Sequence, residues 1–130
     1  MLSTPRANAL SGAGRFPQSD WATVFWDDAI EMVVRRQGRY AAVAEARGYR
    51  LLLPDSEILA LAPRLSSAEG DRLRAEAARN RAENPDGFTA AAVMCLSNDD
   101  SACEAVERLG AAWPSLQDDL AVVRVLRSKR

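Results

Sequence analysis

The sequence predicts an all-α fold, a compact domain of five or six helices behind a flexible N-terminal leader. Three observations predict it. Alanine, the strongest helix former, supplies 24 of the 130 residues. Apolar residues recur at three- and four-residue steps in several segments. Capping and stopping residues punctuate those segments. Hydrophobic content of 48% and charged content of 27% are ordinary for a globular chain. Seven Gly, six Pro and two Cys exclude collagen-like, low-complexity and disulfide-rich architectures. No apolar run approaches the roughly 20 residues that cross a bilayer, so no membrane is expected as a partner.

Residues 1–18 read as the leader, because Pro5, Gly12, Gly14, Pro17 and scattered Ser interrupt any periodic pattern. A single helical domain is expected over 19–127 and a basic tail over 128–130. Ser19 or Asp20 suits a helix cap. Trp21, Phe25, Ala29 and Met32 form one helical row, with Trp26, Ile30 and Val33 beside it, which predicts a helix over about 19–37. A short helix from Arg39 to Arg47 follows, stopped by Gly48. Residues 49–53 are too short for a helix and fit a buried strand or a linker. Pro54, Asp55 and Glu57 suit the start of another helix, ended near Pro63.

Ser66-Ser67-Ala68-Glu69 has the pattern of a capping box, opening a helix to about Asn84 with Ala68, Ala75, Ala78 and Ala82 along one line and Leu73 and Ala77 beside it. Phe88–Leu96 reads as a buried, Ala-rich segment. An acidic start at 97–100 leads into a helix carrying Ala102, Cys103, Val106 and Leu109, closed at Gly110. Leu116, Leu120, Val123 and Leu126 fit a last helix, although Val122, Val123 and Val125 also fit a strand. An α+β alternative, with short strands near 49–53, 90–96 and 120–126, therefore stays open.

Seventeen basic residues against eighteen acidic ones give a net charge of −1, with the charge in blocks. Residues 35–50 hold five Arg against Glu45. Residues 86–119 hold seven carboxylates against Arg108, and 120–130 hold four basic residues with no acid. Such poles pair within a fold or face partners. Sixteen of the cations are Arg, a bias that weakens any argument from Arg clusters.

Cys95 and Cys103 would lie about 12 Å apart on an unbroken helix, beyond disulfide reach, and only a break at Asn98-Asp99 brings them closer. They are expected to be buried free thiols. With free thiols and no secretory signal pattern, the expected location is cytoplasmic, in a bacterium.

The chain contains no His. Histidine-based acid–base catalysis, Ser-His and Cys-His nucleophile pairs, and His-containing zinc sites are thereby excluded. Two Cys complete no four-ligand zinc site. Gly12-Ala13-Gly14 lacks the surroundings of a phosphate loop. No catalytic residue, cofactor or metal is assigned.

What remains is a non-catalytic protein-binding domain, acting as adaptor, assembly factor or inhibitor of a larger protein machine. Its expected contact residues are Trp21 and Trp26, which no single stripe points inward together, and the basic block Arg35, Arg36, Arg39, Arg47 and Arg50. Self-association is compatible with this reading. One alternative is a nucleic-acid-binding regulator using 35–50, which a near-neutral net charge disfavours. Another is a small carboxylate-based enzyme using Asp27, Asp28 and Glu31.

Overall fold

The computed structural model describes residues 2–5 and 16–129. The chain divides into two compact units, residues 1–55 and 56–130, and its class is α+β. The all-α expectation is corrected by the first unit. The helices of the second meet the expectation closely.

In the first unit, strands β1 (Leu2–Pro5), β2 (Trp21–Trp26) and β3 (Ile30–Arg35) form an antiparallel sheet in the order β1-β3-β2. The helix expected over 19–37 is a hairpin. Its apolar residues are mostly aromatic or β-branched, which favours strands. Burial on both sides of β2 erases the alternation that marks a half-exposed strand, so the run also satisfies helical spacing. The turn is set by Asp27, whose Oδ1 accepts from the backbone N–H of Ala29 at 2.7 Å and of Ile30 at 2.8 Å. A one-residue bulge between Thr23 and Phe25 shifts the register of β2 on β3.

The stretch expected to be a leader holds strand β1 at residues 2–5. The rest of it up to residue 15 lies outside the described residues. The α+β alternative holds as a class, but none of its three strands forms where it was placed. Residues 90–96 and 120–126 are helical, and in 49–53 only Tyr49 makes a bridge, its N–H donating to Thr23 O at 2.7 Å.

A 3-10 turn at Gly38–Tyr40 leads into helix α1 (Ala41–Arg47), as expected. Helix α1 lies on one face of the sheet, where Ala44 packs with Ala22, Val24 and Val34. Met32 and Tyr40 border that cluster.

The second unit is helical: α2 (Ile58–Leu61), a 3-10 stretch at Ala62–Ser66, α3 (Gly70–Glu83), α4 (Phe88–Leu96), α5 (Asp100–Ala112) and α6 (Gln117–Ser128). Helix α4 is central, with seven of its nine residues buried and contacts to α2, α3, α5 and α6. Ala90, Ala91 and Ala92 make that crowding workable, because a methyl group lets neighbouring helices come close on several sides. In α3 the buried stripe is Gly70, Leu73, Ala77 and Asn80. The expected alanine line, Ala68, Ala75, Ala78 and Ala82, faces solvent. The capping box is also absent: Glu69 caps α3 without a side-chain bond, and Ser67 Oγ accepts from Glu69 N–H instead.

Gly110 lies inside α5 and does not end it, because α6 crosses there. A Cβ at 110 would stand 2.6 Å from Leu120 Cδ2 and 3.0 Å from Leu120 Cβ, so only glycine admits the crossing.

The corner between α4 and α5 turns on Asn98, whose φ of 71° is left-handed and suits Asn. Asp99 then caps α5, its side chain accepting from Ala102 N–H at 3.1 Å and Ser101 Oγ–H at 2.9 Å. Those hydrogen bonds, with Arg81 beside the carboxylate, hold its pKa below the usual aspartate value. A depressed folded-state pKa means stability that is fully present above about pH 4 and lost as pH falls through the lowered value. Asp99→Ala is expected to cost about 1 kcal/mol at neutral pH. Thermal melts of the two proteins should converge in acid, and a constant gap down to low pH would refute the cap.

The same corner brings the two cysteines together. Cys95 and Cys103 form a disulfide with a Cα separation of 4.5 Å. The expectation of free thiols is overturned, because the chain reverses between them. The premise that placed the protein in the cytoplasm goes with it. Among the described residues, no helix is long and apolar enough to cross a membrane.

Candidate functional site

The structure distributes the seven expected contact residues and does not gather them into one patch. Trp21 opens β2 opposite Arg35 in the register of β3. Its indole is half-buried against the edge of Phe16, with ring centroids 5.0 Å apart, and the Arg35 guanidinium lies 4.7 Å over the ring. That indole is already packed by its own chain.

Trp26 is a core residue. It is 3% exposed, meets Tyr49 edge-on, and donates its indole N–H to Leu52 O at 3.0 Å. Its assignment as a contact residue is corrected: closing the hairpin puts the ring under the chain at 49–52.

The arginines serve several local roles. Arg36 donates its Nε–H to Gln18 O and its backbone N–H to Asp20 O, tying the start of β2 to the end of β3. Arg39 stacks over Tyr40 at 5.5 Å. Arg47 and Arg50 are exposed at and after the end of α1.

The carboxylate group is also dispersed. Asp27 is committed to the turn, Asp28 is exposed in it, and Glu31 Oε2 accepts from Thr23 Oγ1–H at 2.7 Å on the strand pair. Asp27, Asp28 and Glu31 therefore do not share one helical turn.

In the second unit the acidic and basic blocks meet. Arg124 Nε donates to Glu107 Oε2 at 3.1 Å, Arg127 lies 3.6 Å from Asp100, and Arg81 lies 3.8 Å from Asp99. The Arg124 guanidinium holds the Glu107 carboxyl below its usual pKa. The arginines near the chain end thus bind the acidic stretch of α5, a neutralisation that sequence blocks alone leave undecided.

An open cleft in the second unit lies on residues the sequence did not single out as contacts. A cleft of about 430 Å³ opens between α2 and α6, lined by Ile58, Leu59, Thr89 and Val122, with Glu57 and Asp119 among its polar residues. Leu59 is 62% exposed, and on the same helix as Val122, Val125 is 54% exposed. Covering Leu59 with a partner would remove apolar area from water and so favour binding. Among the described residues no Arg or Lys lines the cleft, and Glu57 and Asp119 make it acidic.

A signal for it was present. In α6 the inward face is Leu120 and Val123 with the half-buried Leu126, and Val122 and Val125 are surplus to it. That surplus, read as a hint of strand, marks a second apolar row three residues apart on the helix. Leu59, flanked by the buried Ile58 and Leu61, gives no comparable sign.

Comparison with protein-family models, with curated protein sequences and with solved structures finds no match for this chain.

Proposed function

We propose that this chain is a small protein-binding domain, an adaptor, assembly factor or inhibitor of a larger protein. Its contact surface is the cleft between α2 and α6. The observation that carries this reading is the pairing of Leu59 and Val122 with Glu57 and Asp119 around one opening. A mixed opening that sets Leu59 and Val122 beside the carboxylates of Glu57 and Asp119 fits a partner segment that is apolar on one side and basic on the other. A short amphipathic helix rich in Lys or Arg has that chemistry. The apolar contact supplies the affinity, and the rim charges supply orientation and discrimination. Trp21 and the basic residues of the first unit are left with local packing and pairing roles.

The test uses two synthetic helical peptides with the same leucine face, one carrying Lys on its polar face and one carrying Glu. The full chain is expected to bind the Lys peptide, less tightly as salt rises, and to leave the Glu peptide unbound. Leu59→Asp should weaken the Lys peptide by about tenfold or more while leaving the melting temperature unchanged, since the side chain is exposed. Asp119→Lys should weaken it as well. Equal binding of the two peptides, or indifference to Leu59→Asp, would overturn the reading. Dimerisation that Leu59→Asp abolishes would overturn it too, because the cleft would then be covered by a second copy.

A further inference from the structure

A second cleft, of about 240 Å³, lies over the disulfide. Cys95 and Cys103, 2% and 5% exposed, form its floor, and Val106 and Val123 are its apolar lining. Arg124 and Arg127 stand at the mouth, their side chains 61% and 52% exposed, and Glu107 is the one carboxylate among the lining residues. Arg124 is paired with Glu107 and Arg127 with Asp100, yet both guanidinium groups stay more than half exposed and keep N–H donors for the carboxylates of an incoming thiol.

We propose that this cleft admits anionic low-molecular-weight thiols and that the Cys95–Cys103 disulfide exchanges with them in the folded protein. The incoming thiolate attacks Cys95 Sγ and forms a mixed disulfide there. The Cys95–Cys103 bond breaks, and its electron pair leaves with Cys103 as a thiolate. A second thiolate attacks the sulfur of the attached thiol, freeing Cys95 as a thiolate and releasing the small molecule as its own disulfide. Two electrons enter the protein, and two thiols are oxidised.

The direction of attack follows from the helices. Cys103 is in the first turns of α5, near the positive end of its dipole, and Cys95 is in the last turn of α4, near a negative end. The thiol with the better-stabilised anion leaves faster. Of the carboxylates close in sequence, Asp99 is engaged by Ala102 N–H and Arg81 and Asp100 by Arg127, while Glu104 beside Cys103 is exposed to solvent. Exchange opens the staple across the Asn98 corner and frees the two helix ends it joins.

The experiment exposes the folded full chain, without denaturant, to reduced glutathione or to uncharged mercaptoethanol, and follows intact mass after acid quenching. A single glutathionyl adduct on Cys95, followed by the dithiol form, is expected. The double variant Arg124→Gln/Arg127→Gln should slow the glutathione reaction roughly fivefold and leave the mercaptoethanol rate nearly unchanged. Glu107→Gln removes the opposing charge and should accelerate glutathione, so a simple folding defect is distinguished from an electrostatic effect. Reaction only after unfolding, or equal slowing of both thiols in the Arg variant, would overturn the proposal. An adduct on Cys103 would overturn the assigned direction of attack.

Discussion

Trp26→Ala should lower the stability of the first unit by about 3–5 kcal/mol, the range for truncating a buried aromatic. The ring is 3% exposed and packed edge-on against Tyr49, itself fully buried. Truncation therefore opens a cavity between the hairpin and the chain at 49–52. It also removes the indole donor from Leu52 O. Trp26→Phe separates the two contributions: it keeps most of the packing, loses the hydrogen bond, and should cost about 1–2 kcal/mol beyond the change in ring size. Chemical denaturation followed by circular dichroism reads both. If Trp26 were an exposed anchor, alanine would change stability by less than about half a kcal/mol, as surface substitutions do.

Deleting residues 1–5 should destabilise the same unit by roughly 2–4 kcal/mol and raise its tendency to associate. Strand β3 is central, and β1 covers its outer edge with Leu2 opposite Val33 and Ser3 opposite Met32. Each ladder hydrogen bond is worth about 1 kcal/mol net. Val33 is 1% exposed, so removing its strand neighbour also uncovers apolar surface. An unpaired edge then becomes a template for a second chain. A melting temperature equal to that of the intact chain, with no concentration dependence, would restore the flexible-leader reading.

The helices of the second unit were legible because local chemistry and tertiary packing agree there. Leu116, Leu120, Val123 and Leu126 mark α6, and Asp99 with Asp100 opens α5 where the acidic cluster stands. Where they agree less, the reading slipped in rotation and not in type. The alanines of α3 at 75, 78 and 82 look apolar, yet Leu73 and Ala77 form the face that is buried. An alanine carries too little area to decide which way a helix turns.

The first unit was misread for a different reason. From Trp21 to Arg35 the chain holds large apolar residues on both sides of two adjacent strands. A run buried on both faces has no period of its own and can be matched to a helical row. The signal that was present lies in Asp27-Asp28-Ala29. Asp27 is a residue whose carboxylate closes a turn onto the next N–H groups, a role that its grouping with Asp28 and Glu31 as candidate catalytic carboxylates hides.

The candidate site divides in the same way. The surplus of Val122 and Val125 over the inward stripe of α6 is written in the sequence. The exposure of Leu59 and the approach of Glu57 and Asp119 to one opening are not, since they depend on how α2 meets α6.

By itself the sequence determined the helical segments after residue 56, the lack of imidazole chemistry, and the separation of charge into blocks. These are properties of residue type and short-range spacing. Only the tertiary structure decided that residues 21–35 pair as strands, that Cys95 meets Cys103, that Glu107 and Asp100 answer Arg124 and Arg127, and which apolar side chains stay in water. Each of those outcomes is a contact between residues separated along the chain, and a contact is fixed by competition for burial and pairing among all segments at once.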